Sequence, residues 1–199
     1  MDKKTIDTYN KMSKEYDEET VDFWKRFPDT IITKFCERIS GDKKVLDIGS
    51  GPGRDGLLLK ERGLDVICLD ASSEMVKLCE NKGLESVEGD FLDLPFEDNT
   101  FDGVWAYTSL LHVQKKEMNK ALSEIRRVLK KDGVFGLGLI EGDKELYRES
   151  SGVGELRWFA LYLREEIEKL LEDQGFVFEY FEDFTPKSKK YLNYILRKI

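Results

Sequence analysis

Residues 45–56 read VLDIGSGPGRDG, from Val45 to Gly56. Val45, Leu46 and Ile48 form a short apolar run, as a buried parallel strand requires. The run meets Gly49, Gly51 and Gly53, alternate glycines that predict a tight turn open to a ligand. Leu57, Leu58 and Leu59 then begin a helical pattern. Strand, glycine turn and helix make the cradle of a nucleotide-binding unit, which implies a sheet with helices on both faces.

The details narrow the ligand. A pyrophosphate fingerprint needs glycine at position 54, where this chain has Arg54. Asp47 stands two residues before the first glycine, and an acid there favours a cationic ligand over a pyrophosphate. Asp70 ends the next apolar run at the distance where a carboxylate grips ribose hydroxyls. Together these residues resemble the class I S-adenosylmethionine-dependent methyltransferases, of the small-molecule, ubiquinone-biosynthesis-like type. The likeness covers residues 43–199 and is strongest over 45–102 and 124–138. It implies a Rossmann-like seven-stranded, mostly parallel sheet with an antiparallel last strand and an N-terminal helical lid. One domain is expected: a helical cap over 1–42, a cofactor-binding core over 43–140, a substrate-side insertion over 141–163, and a closing helix and antiparallel strands over 164–199.

The resemblance also implies the site. It places Asp47, Gly49, Ser50, Gly51 and Gly53 around the methionine and ribose portions of S-adenosylmethionine. Asp70 takes the ribose hydroxyls, with Ala71 and Met75 beside it. Gly89-Asp90-Phe91-Leu92 resembles the adenine site, where an acid accepts from the exocyclic amine and Phe91 and Leu92 border the ring. Ala106 and Tyr107 follow the fourth strand. Tyr9 and Tyr16 share a stripe with Ile6 and Ser13 on a predicted helix over 5–16, which as a lid would bring both tyrosines to the cofactor. The alternative is a permanently docked core helix. Arg54 fits either a contact with the cofactor carboxylate or a solvated helix start.

Methyl transfer from a sulfonium needs alignment more than acid catalysis, and a base only if the acceptor still carries its proton. No catalytic residue is fixed by the sequence. His112, the one histidine, and Tyr107 are candidates, with packing at the sheet end the competing role for His112. Arg157 and Phe159 resemble a segment that borders the acceptor pocket. The acceptor itself is illegible. No His, Cys or carboxylate spacing suggests a metal.

The rest of the chain is predicted as follows. A hinge spans 17–20, a helix 23–39 with Ile31, Ile32, Phe35 and Ile39 buried, and another helix 115–130. Residues 141–163 read as irregular. The net charge of −8 among 199 residues argues against general nucleic-acid binding. Three cysteines without framework spacing, and no signal peptide or membrane-length apolar run, predict a cytoplasmic protein that binds no membrane. Oligomeric state is not encoded legibly. Two other functions fit the cradle: a catalytically silent S-adenosylmethionine-binding module, and an NAD(P)-dependent oxidoreductase, whose fingerprint Arg54 breaks.

Overall fold

The computed structural model describes residues 2–149 and 155–199. In chain order the elements are α1 (Lys3–Lys11), α2 (Ser13–Thr20), α3 (Phe23–Arg26), α4 (Thr30–Cys36), β1 (Lys44–Ile48), α5 (Arg54–Glu61), β2 (Asp65–Asp70), α6 (Ser73–Asn81), β3 (Glu85–Glu88), β4 (Phe101–Tyr107), α7 (Met118–Val128), β5 (Leu129–Ile140), β6 (Glu145–Glu149), β7 (Leu156–Ala160), α8 (Arg164–Asp173), β8 (Phe176–Phe184) and β9 (Tyr191–Lys198).

Seven strands form one sheet in the order β3-β2-β1-β4-β5-β9-β8. Strand β9 pairs antiparallel with both neighbours, and all other pairs are parallel. The sheet is therefore the one expected. Strands β1, β2 and β4 are buried on both faces because their apolar residues alternate between two cores. Leu46, Ile48, Val104 and Ala106 pack with α7 and α8. Val45, Trp105 and Tyr107 pack with residues of α4, α5 and α6, including the expected stripe Ile31, Ile32, Phe35 and Ile39.

The chain leaves β1 toward β2 and β3, then returns to β4 on the other side of β1. That reversal opens a crevice at the carboxyl ends of β1 and β4, the ligand position of such sheets.

Several expectations need correction. The 5–16 helix is two helices, broken at Met12, whose backbone leaves the helical region (φ −113°, ψ 23°). No glycine or proline marks this break. It lets α1 lie on β7 while α2 turns over the glycine loop. The expected hinge at 17–20 is helical and ends α2. The 23–39 helix is α3 and α4, with Pro28 in the extended link between them.

Helix α7 stops at Val128. Leu129 already pairs with Phe101, and the register resumes at Gly103 opposite Val134. The intervening chain bulges through Asp132 at φ +62°. Among the described residues of 141–163 the irregular reading fails, because β6 and β7 pair antiparallel; residues 150–154 of that span lie outside the described residues. Among the described residues no helix is long and apolar enough to cross a membrane.

Gly136 on β5 tests the core facing α4. A Cβ there would meet Trp105 Cε3 at 2.4 Å and Phe35 Cδ2 at 3.0 Å. Trp105 cannot yield freely, since its indole donates to Asp55 at 3.0 Å. Gly136→Ala should therefore cost about 1–3 kcal/mol in urea unfolding, the usual cost of overpacking. An unchanged midpoint would show that this core has slack.

Candidate active site

The floor of the crevice is the glycine turn after β1. The amides of Gly49 and Ser50 both donate to the Leu69 carbonyl, at 2.7 and 3.1 Å. The turn needs left-handed backbone at Gly49 and Gly51 (φ +66° and +55°), which glycine adopts without strain. At Gly49 space is also short: a Cβ would lie 2.3 Å from Ser109 Cβ and 3.0 Å from Phe91 Cζ. Gly53 faces packing instead, with Leu84 and Cys79 where a Cβ would stand.

Asp70 joins the second strand to this turn. Its Oδ2 accepts from the Gly51 amide and its Oδ1 from the Ser72 amide, both at 2.9 Å. Each carboxylate oxygen keeps a lone pair for a further donor. Burial pushes the Asp70 carboxyl up to about 6, against the pull of the backbone amides. Ser72 caps α6 through Met75 N and donates to Asn10 Oδ1, which fixes α1 beside the crevice.

A second carboxylate organises the wall. Asp55 accepts from Arg54 Nε at 2.6 Å, Trp24 Nε1 at 2.7 Å and Trp105 Nε1 at 3.0 Å. Burial alone would raise its carboxyl. Arg54 and the two indoles outweigh that and hold it below the ordinary range. Arg54 is thus neither solvated nor free: it pairs with Asp55 and lies over the Phe23 ring at 4.4 Å.

Asp47 lies close by and has the opposite state. Its carboxyl is pushed well above the ordinary range by burial, by the charge of Asp55 and by the Cys79 thiol. Its Oδ2 is buried without a hydrogen-bond partner, as is Ser109 Oγ. An acid in this condition suits a pocket built to receive a cation.

The roof is α1 and α2. A Cβ built on Gly51 would lie 3.6 Å from Tyr16 Cε1, so that ring covers the turn. Tyr9 and Tyr16 meet edge to face at 5.3 Å. Tyr9 also belongs to a relay. Arg157 Nη1 donates to Tyr9 Oη at 2.7 Å, and Tyr9 Oη lies 2.8 Å from His112 Nε2. His112 Nδ1 lies 2.6 Å from the Trp158 carbonyl, which can only accept. The proton is therefore on Nδ1, and Nε2 accepts from Tyr9. Burial and the nearby Arg157 and Arg148 hold the ring neutral, with its pKa down at about 3 despite the carbonyl.

One small cavity thus unites Tyr9, Tyr16, Asp47, Gly49, Ser50, Gly51, Asp70, Phe91, Tyr107 and His112 among the expected residues. Gly53, Ala71, Met75, Asp90, Leu92 and Ala106 do not line it. Met75 and Ala106 are in the core, and Asp90 Oδ1 accepts from the Leu92 amide in its own turn. Arg157 and Phe159 line a larger adjoining cleft with Tyr9, Tyr16 and Arg54. The sequence missed Asp55, Thr108 and Ser109. Their signal was weak: an acid in a first helical turn, and two polar residues after a strand. Thr108, at φ +54°, turns the chain back after β4.

Residues 46–137 match the family described as a methyltransferase domain. Over those residues the chain is similar to a methyltransferase domain. A methyltransferase from Methanosarcina mazei superposes with a TM-score of 0.75 at 22% identity, covering 87% of this chain and 98% of that one. The 1,6-didemethyltoxoflavin-N1-methyltransferase of Burkholderia thailandensis, solved with S-adenosylhomocysteine, gives 0.69 at 22% identity over 97% of this chain and 87% of its own. A Schizosaccharomyces pombe sterol 24-C-methyltransferase is 35% identical over 108 residues, 50% of this chain and 28% of that protein. The matched stretch of the methyltransferase domain thus holds the crevice from Asp47 to Ser109. The relay partners Tyr9 and Arg157 lie outside it.

The His112 relay yields a direct test. The chain has one histidine, so its ring gives one set of proton NMR signals. Those signals should stay flat from pH 8 to pH 5, because the ring is neutral throughout. A titration centred near the ordinary histidine value, about 6.5, would contradict the relay.

Proposed function

We propose that the chain transfers the methyl group of S-adenosylmethionine to a small-molecule acceptor. The observation that carries this is the pairing in one cavity of an unpartnered buried acid, Asp47, with Asp70, whose oxygens keep lone pairs beside a glycine turn. The donor set fits the cofactor. Asp70 can accept both ribose hydroxyls, the turn lets the ligand approach the backbone, and Asp47, uncharged in the free protein, would give up its proton to face a cation. Bound there, S-adenosylmethionine supplies a methyl on a positively charged sulfur.

The protein's own share is position and exclusion of water. Phe91, Tyr107 and the two roof tyrosines supply apolar surface, and a dry pocket strengthens the field of Asp47. Tyr9 keeps its proton, since burial raises its hydroxyl far above ordinary, and donates it in a hydrogen bond to His112 Nε2. With its lone pair given to Tyr9, His112 orients the roof rather than taking a proton from an acceptor. The adjoining cleft, which shares Tyr9, Tyr16, Arg54, Thr108 and His112 with the cavity, is where an acceptor would lie. The engaged histidine favours one second reading, a binding module without turnover. An acceptor panel assayed with labelled cofactor separates the two.

Calorimetry with S-adenosylhomocysteine tests the proposal. Asp70→Asn should lose about 1.5–3 kcal/mol of binding, the scale of hydrogen bonds to a charged group. Ribose hydroxyls that donate to Asp70 keep its proton off in the complex, so ligand release takes up a proton. Affinity should accordingly fall as pH drops through about 6, where the free carboxyl is held, and Asp70→Asn should remove that part of the dependence. Competition by NAD with no binding of S-adenosylhomocysteine would refute the reading.

A further inference from the structure

The adjoining cleft has a charge opposite to that of the protein. The chain carries a net −8, yet the cleft is lined by Arg26, Arg54, Arg148, Arg157, Lys187 and Lys189 against one acid, Glu19. Arg54 is neutralised by Asp55. Among the described residues, none of the other five cations has a carboxylate within ion-pair distance, whereas many surface lysines and arginines do.

The hairpin makes the arrangement explicit. In the β6–β7 register Arg148 stands directly opposite Arg157, with Leu146 opposite Phe159 on the same face. Both guanidinium groups lie over the Phe159 ring, at 4.0 and 5.6 Å. Like charges directly opposite across a strand pair destabilise it. Arg157 is only 2% exposed, and its Nε is buried with no hydrogen-bond partner. Among the described residues its one side-chain hydrogen bond goes to the uncharged Tyr9 hydroxyl. Lys189 approaches from the β8–β9 turn. Burial lowers its ammonium, and the charges of Arg148 and Arg157 lower it further. Three cations thus converge where each raises the cost of the others. Phe23, Phe27 and Tyr191 supply flat apolar walls nearby.

A cluster held together at such cost makes physical sense when an anion completes it. We infer that the methyl acceptor is a small molecule with a carboxylate or phosphate group on a planar apolar body, the anionic group held by Arg148, Arg157 and Lys189. The inference rests on the methyl-transfer reading. The competing use of the cluster is the amino-acid carboxylate of the cofactor itself. Arg148 and Lys189 line the cleft and not the cavity below the roof, which assigns them to the acceptor side.

The test uses the full chain saturated with S-adenosylhomocysteine. Four probes of one shape are titrated by calorimetry: naphthoate, naphthyl phosphate, naphthamide and naphthylmethylammonium. At least one anion should bind about tenfold more tightly than the amide, with no detectable binding of the cation. The better of the two anions then says whether the group is carboxylate or phosphate. Arg148→Gln and Lys189→Gln should each remove most of that preference while leaving S-adenosylhomocysteine affinity within about twofold. Arg148→Gln should also keep or raise the melting temperature, since it relieves a like-charge pair. Equal binding of anion and amide by a protein that binds S-adenosylhomocysteine would overturn the inference alone. So would a variant that weakens S-adenosylhomocysteine and not the probe. Selective anion binding by a chain that does not bind S-adenosylhomocysteine would overturn the methyl-transfer reading, and with it the role of acceptor.

Discussion

The Gly51 amide donates to Asp70 Oδ2 at 2.9 Å, and the crevice depends on that bond. It fixes the turn after β1 to the end of β2, beside the two bonds from Gly49 and Ser50 to the Leu69 carbonyl. Because both strands are buried on each face, their ends are rigid and the turn inherits that rigidity. The same carboxylate that shapes the turn also faces the cavity, so one residue both builds the floor and presents acceptors to a ligand. Asp55 plays the matching part in the wall. It ties α3, α5 and β4 together through Trp24, Arg54 and Trp105.

These contacts place unfavourable electrostatics in one region. Asp47, Asp55 and Asp70 are buried near one another, and Arg148 faces Arg157 a short distance away. Buried acids and opposed like charges lower stability wherever they occur. Their concentration on the two sides of one roof, acids below and cations beside it, fits a site that receives positive charge below the roof and negative charge in the cleft beside it. Elsewhere the described residues packed on the sheet are mainly apolar, with Asn193 on β9 a buried polar exception.

The fold was legible because its signals are local. Apolar runs over 45–48 and 66–69, glycines that end helices, and the closing antiparallel strands within 164–199 can each be read within a few residues. The hairpin was not. Strand β6 reads ELYRE, and its alternation of exposed and half-covered residues has meaning only once α1 lies against it. The break at Met12 has the same origin.

In the site, Gly49, Gly51 and Asp70 belong to a motif with fixed spacing. Asp55 takes its role from tryptophans 31 and 50 residues away, and His112 from partners 103 and 46 residues away. Such roles are properties of the packed molecule. Arg157 was picked out by resemblance, but its cross-strand neighbour Arg148 was not, because the pairing exists only through the hairpin register.

We propose that α1 and α2, docked on the β6–β7 hairpin, form a roof that opens to admit a ligand and closes over it. Thr5, Thr8 and Tyr9 bond to β7 and Tyr16 covers Gly51, so roof and hairpin should move as one. Amide hydrogen exchange with and without S-adenosylhomocysteine tests this most directly. The ligand should slow exchange in α1, α2, β6 and β7 together, while β1 and β4 remain protected in both states. Equal protection of α1 and α2 in the two states, with the ligand shown to be bound, would make the roof a fixed part of the core and contradict the claim.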